Sequence, residues 1–514
     1  MPSIGPRLST VMRHGCLALT ALLCACSVGW SQAHDWVSPV PADDPPPRPQ
    51  GQPPVSGWAE SLWAGPRSGP PAAPNARDCQ RAPQAIELWG PDGAPQQGAR
   101  RGRADDEPRL LKERSRELLA SKAAAPEARG GARGEVAAAD AAAPATADAP
   151  RESRAPGLLP QALPRPQRPR DEPVSAGVVD DNADFGAYLA YRGRNTHLPV
   201  RHRDVQERYL LSVHDAAGRP VPDAQVSLHA SGRSLPLWAR TDSGGQVWLH
   251  PAAMDGGAPG LIEVQVRKAG TTGRALLKRG QRDGLQVRLD ASLPAERTRL
   301  DLVFLVDATG SMADEIDKLK RSMRQMADQI ARLPSQPDIC WGLVAYRDRG
   351  DAFFVRAHDF SNDLGAFQKS LGALQAGGGG DYAEALNEAL HTAVHRLSWR
   401  GDGATRLVVL VADAPPHLDY GAPWYDDDMQ GALARGIKLF AVGASGLDPT
   451  GEYVFRQAAQ YTGGRFVFLT YAKAGDPSSG PGRETSHDVG NYSVESLDKL
   501  VLRLVREELA KRPT

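Results

Sequence analysis

The carboxyl-terminal part of this chain predicts an α/β fold, a doubly wound and mostly parallel sheet, preceded by a small all-β sandwich and a disordered amino-terminal region. Three observations predict it. From 300 onwards, unbroken apolar runs such as DLVFLV, ICWGLVAY and RLVVLVA alternate with helical stretches, as strands covered on both faces by helices do. Between about 205 and 292, apolar residues instead recur at every second position, the period of half-buried strands. Before residue 200 the composition is dominated by Pro, Ala, Gly and mixed charge, which buries too little apolar surface to offset the entropy of ordering.

The 514 residues leave room for two or three domains. Residues 1–33 read as a signal peptide: Arg7, Arg13 and His14 precede the short apolar run CLALTALLCACSVGW, and Ser31-Gln32-Ala33 offers small residues for cleavage. Lipid attachment at Cys26 competes with simple cleavage, although Cys24 two residues earlier is unusual in such a box. Either way the mature protein is expected outside the cytoplasm, periplasmic, cell-surface or secreted, with no transmembrane helix after cleavage. Residues 34–195 are expected to form a low-complexity linker, broken only by the helix-like EPRLLKERSRELLASK and by scattered Trp36, Trp58, Trp63 and Trp89. Of five cysteines only Cys79 and Cys340 outlast the leader. With one in the Pro-rich linker and one in a buried strand, no structural disulfide is expected.

In residues 205–292, Tyr209, Leu211 and Val213 alternate with polar neighbours, as do Val226 and Leu228, Val247 and Leu249, Ile262, Val264 and Val266, and Leu285, Val287 and Leu289. Turn formers at 215–218 and 242–245 separate the runs, which predicts a small antiparallel sandwich. The words LLSVHDAAGRPVPDAQVSLHA and ARTDSGGQVWLHP resemble carboxypeptidase regulatory-like, transthyretin-like modules. That resemblance implies a non-catalytic spacer or adhesion domain.

In residues 299–512 the stripe Met312, Ile316, Leu319, Met323, Met326, Ile330 and Leu333 predicts a helix against the sheet. A hairpin is expected through AFFVRAH, helices at about 364–374, 382–397, 427–435 and 452–461, strands at IKLFAVGA and RFVFL, and a closing amphipathic helix over 494–509. Parallel strands point their carboxyl ends at one rim, where ligands collect in open α/β sheets. Four exits should meet there: Asp307 to Ser311, Tyr346-Arg347-Asp348, Gly377 to Asp381, and Asp413. Asp307, Thr309 and Ser311 alternate along their turn, so their oxygens can converge, and three hard donors suggest a hard cation, Mg2+ first.

The DATGS turn, the loop GGGGDYAEAL and the exit VADAPPH resemble the von Willebrand factor A domain, a Rossmann-like α/β fold with a metal-ion-dependent adhesion site. The resemblance implies a cation, Mg2+ or else Mn2+ or Ca2+, held by Asp307, Thr309, Ser311 and Asp413, with an acidic side chain of a protein partner completing the coordination. Thr309 stands where that family usually has Ser. The family's loop Thr falls at Gly380, so either Asp381 takes over the ligand role or water fills the position. YRD, GGGGD and DAPPH resemble the bacterial and alpha-kinase-associated branch more than the integrin branch.

Other readings of these residues are structural. Ser311 and Asp314 could form a capping box, Asp381 could cap the helix expected at Tyr382, and Asp348 is read as structural. The Arg349-Gly350-Asp351 tripeptide is discounted as a chance match inside a hairpin. His358, His391, His395 and His417 are read as surface or packing residues without a zinc spacing. No nucleophile paired with a base, Walker lysine or GxGxxG is placed at the rim, and Arg347 alone could clamp a phosphoryl group, so no enzyme activity is expected. Lys plus Arg equals Asp plus Glu at 61 each, which gives no reason to expect a nucleic-acid partner. A metal-independent envelope scaffold is the alternative function, and a metal-assisted hydrolase the third.

Overall fold

The structure is a computed structural model that describes residues 74–88, 90, 173–230, 233–254, 259–401 and 403–512. The expected signal peptide, the Cys26 lipid site, the helix-like 107–122 and the four tryptophans lie outside these residues. Among the described residues no helix is long and apolar enough to cross a membrane.

A nine-stranded mixed sheet forms the centre. Its core strands are β10 (Arg299–Asp307), β11 (Asp338–Tyr346), β13 (Thr405–Ala412), β14 (Ile437–Gly443) and β15 (Arg465–Thr470). They lie in the order β11-β10-β13-β14-β15, all parallel. β12 (Val355–Ser361) returns antiparallel beside β11, as the expected hairpin does. Alternate residues of β10 go to opposite faces. Leu302, Phe304 and Val306 meet helices α2 (Ile316–Ala331), α3 (Leu364–Gly372) and α7 (Leu497–Ala510). Val303 and Leu305 meet α4 (Leu386–His395), α5 (Tyr425–Arg435) and α6 (Pro449–Tyr461). Burial on both faces is why these strands carry no polar alternation.

The sheet recruits strands from the stretch expected to be linker. β1 (Ala85–Leu88) pairs antiparallel with β12 at one edge. At the other, β2 (Ser175–Val179) lies between β15 and the short β16 (Glu495–Ser496), and α1 (Phe185–Arg194) follows it. The linker expectation is therefore corrected at 74–88 and 173–195: short apolar segments such as AIEL and SAGVV gain their partners from the sheet, which averaged composition hides. The disulfide expectation is corrected too. Cys79 is buried and bonded to Cys340 across a sequence separation of 261, because Arg81–Asp359 and the β1 pairing hold its segment along the sheet edge.

Among the described residues between Tyr209 and Arg288 lie seven strands. β3 (Tyr209–His214), β6 (Gln246–Leu249) and β9 (Leu285–Arg288) form one sheet in the order β6-β3-β9. β4 (Gln225–Ala230), β5 (Arg233–Arg240), β7 (Leu261–Lys268) and β8 (Thr271–Lys278) form another in the order β5-β4-β7-β8. The alternating apolar residues named above are buried and join one cluster. Charge ties these sheets to the central one. Asp223 accepts from Arg240, from Arg406 Nη1 at 2.8 Å and from the Gly403 amide at 2.9 Å, while Lys438 bridges Asp242 and Glu508 at 2.8 Å each. Burial alone would raise the Asp223 carboxyl, but Arg406 and Arg240 hold it far below the usual range.

Candidate functional site

Parallel pairing brings the ends of β10, β11 and β13 to one rim, and the glycine loop folds onto it. Gly310 donates to the carbonyl of Gly378 at 2.9 Å and Gly377 donates to that of Ala308 at 3.1 Å. The approach leaves no room for a side chain: a β-carbon on Gly310 would stand 2.8 Å from the Gly378 oxygen. Gly378 and Gly379 both have φ of +77°, the left-handed region that glycine enters without strain.

The structure joins four of the five sequence-predicted residues in one hydrogen-bonded chain. Asp307 Oδ1 accepts from the Thr309 amide at 2.9 Å and from its hydroxyl at 2.7 Å. Ser311 Oγ donates to Asp413 Oδ1 at 3.0 Å, and the two hydroxyl oxygens lie 3.0 Å apart. Tyr346 OH donates to Asp307 Oδ2 at 3.2 Å. Ser311 caps nothing here, since the helix begins only at Ile316, beyond a 3-10 turn over Gly310–Asp314. Asp307, Thr309 and Asp413 are buried and Ser311 is exposed, so the chain opens to solvent at the serine.

Asp381, the fifth, is not part of this chain. Its side chain is 61% exposed and lies 3.5 Å from His417 Nε2. Nor does it cap a helix, because α4 starts at Leu386 with Ala385 before it. The carboxyl group that does reach the site belongs to Glu384, which sequence reasoning missed. A β-carbon on Gly379 would stand 2.6 Å from Glu384 Oε1 and 3.2 Å from Thr309 Cβ, so glycine there leaves space that the Glu384 carboxyl borders. Glu384 is 2% exposed and its Oε2 is buried without a hydrogen-bond partner. In the sequence it falls inside the helix expected over 382–397, within AEAL. Only the backbone places it, through its amide to Pro415 O at 3.0 Å and its carbonyl accepting from the His417 amide at 3.1 Å.

These acids perturb one another. Burial pushes the Asp307 carboxyl up to about 6, against the hydrogen bonds from Thr309 and Tyr346. Burial, then the neighbouring Asp307, Asp348 and Asp413, push Glu384 up to about 11. Burial and Asp307 push Asp413 well above the carboxylate range. Among the described residues no Lys, Arg or His forms an ion pair with Asp307, Glu384 or Asp413. A divalent ion would reverse the direction of all three shifts. The donors are hard oxygens only, which suits Mg2+, Mn2+ or Ca2+.

Two further groupings stand nearby. Asp351 accepts from the Asp348 amide at 3.0 Å and the Gly379 amide at 2.8 Å, so its carboxylate holds the glycine loop. His391 and His395, one turn apart on α4, both meet Asp428 Oδ1, at 3.0 and 2.9 Å. Their four-residue spacing is a pairing that the reading of the histidines overlooked.

A mostly parallel sheet with helices on both faces and a hydroxyl–carboxylate turn at its carboxyl rim defines a doubly wound α/β domain. Residues 301–469 match the von Willebrand factor type A domain family, whose members commonly mediate protein–protein interaction. An alpha-protein kinase, vwkA, of Dictyostelium discoideum is 31% identical over 147 residues, 27% of this chain and 22% of the relative. A putative ariadne-like RING finger protein of Acanthamoeba polyphaga mimivirus is 29% identical over 118 residues, 23% of this chain and 11% of the relative. The chain thus spans about a fifth and about a tenth of the length of these relatives.

Proposed function

We propose that this chain is an exported, non-enzymatic protein that binds a protein partner through a divalent cation, Mg2+ or alternatively Mn2+ or Ca2+. Asp307, Thr309, Ser311, Asp413 and Glu384 would hold the ion. The observation that carries this reading is the gathering of three buried carboxyls, Asp307, Asp413 and Glu384, with the Thr309 and Ser311 hydroxyls and no basic side chain paired to them among the described residues. Burial and neighbouring acids hold all three above the usual carboxylate range, and Glu384 Oε2 is buried without a hydrogen-bond partner. A cation would supply the missing counter-charge. When bound, it supplies an open coordination position that an acidic side chain of a partner can fill. The exposed Ser311 gives that side chain its approach.

Export is supported by the basic, apolar leader and by the Cys79–Cys340 bond, which suits an oxidising compartment. The two small sheets, read as a carboxypeptidase regulatory-like, transthyretin-like sandwich, would act as a spacer fixed to the binding domain by the Asp223 and Lys438 ion pairs.

Calorimetric titration of Mg2+ and Mn2+ into the full chain tests the reading, beside Asp307→Ala and Glu384→Gln. Saturable binding by the native protein, lost in Asp307→Ala and weakened in Glu384→Gln, is expected. Absence of binding by the native chain would overturn it in favour of a metal-independent scaffold.

A further inference from the structure

Asp381, displaced from the first site, has another partner. His417 follows the DAPP turn, and its ring stacks on Tyr420 at 3.7 Å between centroids with 7° between planes. Its backbone is pinned at both ends, the amide to Glu384 O and the carbonyl accepting from Asn387 Nδ2 at 2.6 Å. Nδ1 lies 2.9 Å from Asp419 Oδ1. A carboxylate can only accept from a ring nitrogen, so Nδ1 carries the proton and, in the neutral ring, Nε2 carries the lone pair. That Nε2 is buried, on a residue 3% exposed, and has no hydrogen-bond partner. Asp348 Oδ2 and Asp381 Oδ1 each lie 3.5 Å from it.

A distance of 3.5 Å is longer than an N–H···O hydrogen bond. It is close to the donor–donor edge of about 3.3–3.5 Å that tetrahedral Zn–N and Zn–O bonds of about 2.0–2.2 Å generate. Asp348 is oriented in turn by Tyr420 OH, at 2.8 and 3.0 Å from its two oxygens. A carboxylate on the far nitrogen of a histidine is the arrangement that fixes the tautomer of zinc-ligating imidazoles. We propose that His417, Asp348 and Asp381 bind a zinc-class transition-metal ion, with Asp419 orienting the imidazole and water completing the coordination. One imidazole and two carboxylates make a softer set than the oxygen donors at Asp307, and the two sets share no residue. The exposed Asp381 leaves the ion open to solvent and to a second contact from a docked protein.

The test uses the untagged full chain with excess Mg2+ present. Co2+ is added as a visible-spectrum probe and Zn2+ is used to displace it. One equivalent with tetrahedral d–d bands is expected, lost in His417→Gln. Asp419→Asn, at an exposed side chain, should weaken affinity about 10–100-fold while leaving the fold intact. Asp307→Ala and His395→Gln should keep the signal, which separates this ion from the first site and from the His391–His395 pair. Absence of the bands, or bands that survive His417→Gln and Asp381→Asn, would overturn the proposal and leave His417 as a protonated partner of its carboxylates.

Discussion

The two ends of β10 carry buried aspartates in opposite circumstances. At the start, Asp301 is fully buried and receives Arg400 Nε and the Arg400 amide, each at 2.7 Å. Arg400 also meets Asp338 at 3.1 Å, and Cys340, whose disulfide ties down the amino-terminal segment, sits beside Asp301 in the parallel register. At the end, Asp307 is as deeply buried but receives only hydroxyls and an amide, with Asp413 and Glu384 adding further acid. A buried charge without a counter-charge is costly. One end of the sheet is thus a fastening complete within the chain, and at the other, where the proposed cation would sit, no basic side chain is paired with the acids among the described residues.

Breaking the fastened end should have the largest effect. Arg400→Met leaves Asp301 buried and alone, and denaturant unfolding should show a loss of about 3–5 kcal/mol, unchanged by Mg2+. Cys79→Ser with Cys340→Ser should cost about 2–5 kcal/mol, also without Mg2+ dependence. At the open end the sign reverses. Asp307→Asn should leave the cation-free chain as stable as the native one or more so, and should abolish the expected Mg2+ stabilisation, which for the native protein would be about 2.7 kcal/mol at a hundredfold excess over Kd.

The smallest effect is the pH profile. A carboxyl whose folded pKa is raised holds its proton more firmly in the folded state. Its stabilising share is therefore full below the unfolded value and disappears as pH rises through the folded one. Asp307 rises from 3.8 to about 6, and Glu315 and Glu388 from 4.5 to about 7, burial being the largest cause in each. Cation-free protein should therefore lose melting temperature as pH climbs through 6 and 7. Saturating Mg2+ should flatten the share of the site acids Asp307, Asp413 and Glu384, leaving that of Glu315 and Glu388.

The comparison also shows what a sequence discloses. The central strands are legible because burial on both faces removes polar alternation, and Asp307, Thr309, Ser311 and Asp413 are legible because they stand where such strands stop. Glu384 is not, since AEAL has helical character and only the late start of α4 at Leu386 turns its carboxyl to the rim. Asp381 misleads for the same reason: adjacency to the glycines says nothing about which way the loop aims it. Cys79 and the strands Ala85–Leu88 and Ser175–Val179 escape because an edge strand needs few residues and takes its partners from far along the chain.

Crystals of the full chain grown with Mn2+ and measured for anomalous scattering would show whether a cation sits at this rim. A peak is expected within bonding distance of Thr309 Oγ1 or Ser311 Oγ and beside the Glu384 carboxyl. An ion lying only among His417, Asp348 and Asp381, or no ion at the rim at saturating Mn2+, would contradict it.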